Sequence, residues 1–238
     1  MRAIITAAGR GSRLASSTDE TPKTLLQFGS GTILSGIMRN FAAAGVSEFI
    51  VIVGFQGDAI VEYLTAHDTW GYAVTVVRNR EWQRGNGISV HLAGTLLSPD
   101  EEVLLSMADH LVPPQALRAM VHAPPGRNQL LVDPHIELVY DLEDATKVWV
   151  DGGRITEIGK ELAHFNAVDC GVFRLTRRYF DAMGRQIGRG RDSITAGVQE
   201  LIAADDFEAV PIPASSHWID IDTPAAYEHA KANLARYG

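Results

Sequence analysis

The chain has 238 residues, 46% hydrophobic and 21% charged, long enough to bury roughly 70% or more of its unfolded surface and too apolar for disorder. With 21 Lys and Arg against 29 Asp and Glu the net charge is −8, which leaves no broad basic face and so argues against nucleic acid as a partner. The one cysteine, Cys170, excludes an internal disulfide framework and a cysteine-based structural zinc site.

In chain order, residues 2–7 read as a buried strand. Ile33, Ile37, Met38 and Phe41 recur at helical spacing, with Gly45 as the stop. Residues 48–54 form a second strand, Ile60 and Leu64 mark a second helix, and residues 73–77 a third strand. Ile88, Leu92 and Leu96 give a third helix, and residues 102–107 a fourth strand. Strand and helix alternating at this pace imply parallel pairing with right-handed crossovers. After about residue 124 the rhythm changes. Residues 129–132, 146–150, 154–158 and 168–175 read as short strands, two of them joined in a hairpin by Asp151-Gly152-Gly153. Two helices follow. The first is capped by Asp192 or Ser193, with Ile194, Val198, Leu201 and Ile202 on one face; the last has Thr223 as N-cap and Pro224 in its first turn. The expected fold is α/β: a mainly parallel, Rossmann-like twisted sheet flanked by helices, with a small antiparallel lobe. It is read as one domain over residues 1–238, a core to residue 124 and a lobe with closing helices beyond it. No run approaches the roughly 20 apolar residues of a membrane span. The apolar run 3–8 is too short for a leader. A cytoplasmic protein is the expectation.

The first strand ends in Ala7-Ala8-Gly9-Arg10-Gly11-Ser12-Arg13-Leu14. Two glycines let the backbone turn tightly and approach a ligand, and successive N–H groups can cradle an anion beside Arg10 and Arg13. A plain tight turn is the competing reading. The loop is not a P-loop, since no Gly-Lys-Ser/Thr follows, and Leu14 stands where a dinucleotide fingerprint needs its third glycine. Thr21-Pro22-Lys23 then offers a compact positive charge for a phosphate, against the reading of a surface lysine after a turn proline.

Gly9-Arg10-Gly11-Ser12-Arg13-Leu14 with Pro22-Lys23 resembles the amino-terminal signature of the nucleotidyltransferases that make activated sugars and alcohols from an NTP and a phosphate ester. Arg84-Gly85-Asn86-Gly87-Ile88-Ser89, Met107-Ala108-Asp109-His110, the stretch from Asp144 to Lys160, Val168-Asp169-Cys170-Gly171 and Trp218-Ile219-Asp220-Ile221-Asp222 are similar to the inositol-1-phosphate cytidylyltransferase branch. The resemblance runs from residue 2 to about residue 230. It implies a GT-A-like fold and a nucleotide-binding core over residues 1–124, with an acceptor-side lobe over 125–238. It implies Arg13 and Lys23 as the catalytic cations on the triphosphate. Ala7, Ala8, Gly9, Gly11, Gly85, Asn86 and Ser89 are its further nucleotide contacts. Lys147, Asp133 and Asp169 are its acceptor contacts, and Asp109, Asp220 and Asp222 its ligands for Mg2+. Members of this branch are often fused to a membrane domain; no hydrophobic tail follows here before Gly238.

The implied reaction joins a phosphate monoester, inositol 1-phosphate or a similar cyclitol phosphate, to the α-phosphorus of CTP and expels pyrophosphate. Both substrates are polyanions, so catalysis is mainly positioning and charge neutralisation. Mg2+ suits this chemistry because one or two carboxylates and phosphate oxygens complete its shell. Asp220 and Asp222 are two apart, so an extended backbone puts both on one face. The nucleophile is already an ionised oxygen; no general base is invoked, and His110 is read as structural. Each assignment has a plainer rival: Asp109 as a turn or cap residue before Pro113, Asp222 as the residue before the Thr223 cap, Lys147 as a solvated strand residue, Asn86 as a helix cap. Another NTP with a different cyclitol phosphate, sugar phosphate or phosphonate stays open. A metal-dependent glycosyltransferase would leave the Gly9-to-Lys23 signature unexplained, and a sensing module would leave Arg13, Lys23, Asp109 and Asp222 unused together. The expected partners are small-molecule substrates, and nothing in the sequence excludes a homodimer.

Overall fold

The computed structural model describes residues 1–11, 14 and 21–237. The first half runs β1 (Arg2–Ala7), the two-residue strands β2 (Gln27–Phe28) and β3 (Gly31–Thr32), α1 (Ile33–Ala43), β4 (Glu48–Val53), α2 (Gly57–Ala66), β5 (Ala73–Arg78), α3 (Gly87–Gly94), β6 (Val103–Met107), β7 (His110–Leu111) and α4 (Pro114–His122). The second half runs β8 (Asn128–Asp133), β9 (Lys147–Asp151), β10 (Arg154–Gly159), β11 (Ala167–Leu175), α5 (Arg177–Gly188), α6 (Ile194–Ala203), β12 (Phe207–Pro211), β13 (Ile219–Asp220) and α7 (Pro224–Ala232).

Strands β5, β4, β1 and β6 are parallel, with Ile4 of β1 flanked by Ile50 and Leu105. Side chains of β1 alternate between two apolar clusters: Ala3, Ile5 and Ala7 enter one, Ile4 the other. Burial on both faces explains why β1, β4 and β6 read as largely apolar runs. Helix α1 starts at a reciprocal capping box between Thr32 and Ser35. The later helices begin as expected, with Ser193 and Thr223 accepting from Ala196 N–H and Ala226 N–H.

The sheet continues through β11, β8, β12, β10 and β9. Antiparallel pairing of β11 with β8 and of β10 with β9 and β12 builds the expected lobe, and two features add to it. β12 pairs parallel with β8, and β9 pairs back onto the start of β11, so five strands close into a ring. β12 and the helices α4 and α5 carry no expectation from the sequence. In α5 the buried Tyr179, Phe180, Met183 and Gln186 form a stripe broken by charged residues, and the polar Gln186 hides its last step. Among the described residues, no helix is long and apolar enough to cross a membrane.

The fold brings three distant segments to one sheet edge. The glycine loop leaves the carboxyl end of β1, and Ala108-Asp109 leaves that of its neighbour β6, where open α/β sheets hold ligands. β13 then pairs antiparallel with β7, setting Asp220 opposite His110, and Ile221 N–H donates to Asp109 O at 2.9 Å. Ile221 is fully buried between Asp220 and Asp222, as the alternation of an extended strand requires.

Candidate active site

Pro22 has no N–H to satisfy and leads into a single helical turn at Lys23–Leu25, where Lys23 is 8% exposed. Its stem packs against Gly11: φ there is +63°, and a Cβ on Gly11 would stand 2.8 Å from Lys23 Cβ. That close approach is a physical reason for the second glycine of the loop. Lys23 Nζ donates to Asp109 Oδ2 at 2.8 Å and to Asp222 Oδ1. The lysine near the start of the chain and the carboxylates near its middle and end therefore converge. Burial disfavours the ammonium, but Asp109, Asp222 and Asp220 more than offset it and raise the Lys23 pKa to about 12.

His110 sits inside the carboxylate group. Its Nδ1 is 2.8 Å from Asp109 Oδ1 and 3.8 Å from Asp220 Oδ1. Burial works against its charge, yet Asp220, Asp109 and Asp169 raise its pKa to about 9. The same cations hold Asp109 well below the usual carboxylate range against its burial. Asp220 goes the other way: burial, then Asp109 and Asp222, outweigh His110 and push it up to about 7. Burial likewise raises Asp169 to about 6, although its Oδ1 accepts from Gly171 N–H at 2.6 Å. The imidazole stacks on Trp218, 5.6 Å between centroids and 8° between planes. Trp218 Nε1–H donates to Asp133 Oδ2 at 3.0 Å.

Two cavities open here. The smaller, about 270 Å³, is lined by Gly9, Gly11, Lys23, Thr24, Asp109 and Asp222 among others. The larger, about 420 Å³, lies between the carboxylates, the β10 end with Lys160, and the start of α6 with Thr195. Asp109 and Asp222 line both.

The expected site residues divide accordingly. Ala7, Gly9, Gly11 and Lys23 line the smaller cavity, while Ala8 is buried behind them with its carbonyl accepting from Phe55 N–H. Asp109 and Asp222 stand at the boundary, and Asp220 and Asp169 line the larger cavity. Arg13 lies outside the described residues. The 85–89 segment sits beside the start of α6. Gly85 and Gly87 press against Asp192, and Asn86 lines the larger cavity while accepting from Ile194 N–H at 2.9 Å. Asn86 makes no side-chain cap for its own helix. Ser89 is buried and within 3.0 Å of Asn79 Nδ2, and it lines neither cavity. Lys147 and Asp133 also line neither: Lys147 is buried with Nζ on Glu143 O at 2.7 Å, and Asp133 holds Trp218. The lysine that does line the larger cavity is Lys160, paired with Asp144 at 2.8 Å.

The donor set fits a divalent cation. Ligand atoms of Asp109, His110 and Asp220 lie within 4.8 Å of one another, as do those of Asp144, Asp220 and Asp222. Asp220 Oδ1 is buried with no hydrogen-bond partner among the described residues, an unmet acceptor that a cation would satisfy. Oxygen donors of this kind suit a hard ion.

A glycine loop and a buried lysine on one side of shared carboxylates, with a second cavity on the other, are the working parts of a nucleotidyltransferase. The chain belongs to the family of the MobA-like NTP transferase domain, whose model matches residues 3–137. It is 31% identical over 223 residues to a Rubrobacter xylanophilus protein named bifunctional IPC transferase and DIPP synthase, covering 93% of this chain and 49% of that one. An Aquifex aeolicus protein of the same name is 28% identical over 236 residues, covering 98% of this chain and 52% of that one. The chain thus spans about half the length of these curated relatives. Among solved structures, the inositol-1-phosphate CTP transferase from T. maritima superposes with a TM-score of 0.88 at 26% identity, covering 99% of this chain and 95% of that one. These relatives match the branch that the sequence motifs resemble.

Proposed function

We propose that this nucleotidyltransferase joins inositol 1-phosphate, or a similar cyclitol phosphate, to the α-phosphorus of CTP, giving a CDP-alcohol and pyrophosphate. The observation that carries the reading is the pair of cavities meeting at Asp109 and Asp222. The smaller takes the triphosphate against the glycine loop and Lys23; the larger takes the acceptor. The name of the solved T. maritima relative supplies CTP and inositol phosphate. The half-length match confines the proposal to nucleotidyl transfer.

In the reaction an acceptor phosphate oxygen bonds to the α-phosphorus, the bond to the β-phosphate oxygen breaks, and pyrophosphate leaves with that electron pair. No proton need move. Lys23 holds the triphosphate, and the motif assigns the same task to Arg13. Lys160 takes the acceptor's phosphate in exchange for Asp144, and Asp169 takes a ring hydroxyl. Asp109, Asp220 and Asp222 would hold Mg2+, which supplies charge neutralisation to the phosphate oxygens when bound. His110 keeps two of these carboxylates together.

A panel of NTPs against acceptors, read by pyrophosphate release, tests the proposal. CTP with inositol 1-phosphate should turn over fastest. One observation favours a second reading. The larger cavity is lined by Asp109, Asp141, Asp144, Asp169, Asp220 and Asp222, with His110 and Lys160 as the positive groups among the described residues. That excess of acid suits an acceptor bearing an amine as well as its phosphate or phosphonate. Preference for an aminoalkyl phosphonate in the same panel would replace the cyclitol.

A further inference from the structure

Thr24 follows the lysine of the signature and is itself 8% exposed. Its hydroxyl oxygen is buried and has no hydrogen-bond partner among the described residues. Thr24 lines the smaller cavity together with Lys23, Gly9 and Gly11. A buried hydroxyl left unpaired in the ligand-free protein is costly, and one that faces a ligand cavity has its partner in the ligand.

We propose that the Thr24 hydroxyl is a ligand of the nucleotide's polyphosphate, donating to a phosphate oxygen next to the one held by Lys23. The proposal rests on the reading of the smaller cavity as the triphosphate site. The chemistry of the lining favours an anion: a short hydroxyl donor beside a buried ammonium, in a cavity where Gly9 has open space around it. A hydroxyl gives a directed hydrogen bond where the lysine gives a charge, so the two together fix orientation as well as attraction.

The test is the isosteric Thr24→Val, with Thr24→Ser as the rescue and Lys23→Ala as the marker of the site. Dissociation constants for CTP and for inorganic pyrophosphate are measured by calorimetry with Mg2+ present, alongside acceptor KM and ligand-free Tm. Thr24→Val should weaken CTP and pyrophosphate about tenfold and leave acceptor KM alone, while the Ser variant stays near wild type. Ligand-free Tm of the Val variant should not fall, because it loses a hydroxyl that was paying desolvation without a bond. A packing role would give the opposite: Tm falls and serine does not restore binding. If Thr24→Val binds both ligands normally while Lys23→Ala does not, Thr24 is no ligand and the triphosphate site stands. If Lys23→Ala also binds both normally, the reading of the cavity falls and the proposal with it. Should Thr24→Val fail to fold, Thr24→Ala is judged by the same constants.

Discussion

Lys23 and Asp109, 86 residues apart, meet at 2.8 Å, and the ammonium bridges to Asp222 as well. In the ligand-free protein the lysine therefore neutralises the carboxylates that a metal would otherwise neutralise. Lys23→Ala leaves two partly buried carboxylates facing each other, at a cost of about 3 kcal/mol. A divalent cation should then raise the Tm of the variant more than that of wild type, since the ammonium no longer competes for the oxygens. Turnover should drop about 100- to 1000-fold with saturating metal, as the charge on the triphosphate is lost. Melting curves against Mg2+ concentration, with pyrophosphate release beside them, check both parts.

The pH dependence of metal-free stability follows from His110. Its folded pKa of about 9 lies above the ordinary 6.5, so its contribution is complete below about pH 6.5 and is lost as pH rises through 9. The shift corresponds to something on the order of 3 kcal/mol. Asp220, raised from 3.8 to about 7, has the same sign in a lower window: its charged form is disfavoured in the folded state, so stability falls between those two pH values and no further above 7. Tm of protein stripped with EDTA should decline between pH 6.5 and 9. His110→Asn should flatten that decline, and an equally steep one in the variant would move the cause elsewhere.

Much of this arrangement was legible in the residues and some was not. The parallel core follows from unbroken apolar runs such as residues 49–53, because strands buried on both faces need no polar alternation. The extended spacing of Asp220 and Asp222 held, since Ile221 alone turns into the core. The partners of His110 were not legible, because Asp220 and Trp218 arrive through the two-residue strands β7 and β13, too short to leave a pattern. Which lysine lines the larger cavity was unreadable for a similar reason. Lys147 and Lys160 both sit in the β9–β10 hairpin region, and only the tertiary course of residues 139–146 decides which ammonium is spent on the Glu143 carbonyl and which lines the cavity.

That difference separates two variants. Lys160 is half exposed and its partner Asp144 is partly exposed, so Lys160→Ala should leave stability within about 0.5 kcal/mol of wild type. Acceptor KM should rise about tenfold or more while CTP KM stays put. Lys147→Ala removes a buried stem and a bond to Glu143 O, and should cost about 1–3 kcal/mol of stability. Initial-rate kinetics with each substrate varied, plus thermal melts, distinguish a binding lysine from a structural one. A selective acceptor effect in Lys147→Ala alone would reverse the assignment.

Asp133 acts on the site from behind. Its Oδ2 accepts from the Trp218 indole, and its Oδ1 accepts from His135 N–H at 2.8 Å. Asp133→Ala leaves the indole N–H buried without a partner, at about 1–3 kcal/mol. The stack on His110 loses its backing, so kcat should fall several-fold with the KM of CTP little changed. Asp133→Asn keeps an acceptor for the indole and should recover most of the loss in kcat. Failure of asparagine to do so would mean that the charge of Asp133, and not its hydrogen bond, matters to the site.

Gly171 carries the tightest constraint on the same imidazole. Its φ is +73°, a region that disfavours any side chain, and a Cβ there would run into the His110 ring at Cδ2 and Cγ. The ring cannot retreat, because Trp218 lies parallel on it and Asp109 holds Nδ1. Gly171→Ala must therefore strain the β11 backbone, rotate the imidazole, or both. The backbone part alone costs about 1–2 kcal/mol. The rotation breaks the bond between His110 and Asp109, which frees that carboxylate to repel Asp220. The expected outcome is a lower Tm, a kcat reduced at least tenfold and a weaker affinity for the activating divalent ion. If Gly171→Ala kept both kcat and metal affinity, the imidazole would not be what gathers the carboxylates. Titration of activity against Mg2+ in this variant and in His110→Asn reads the two effects side by side.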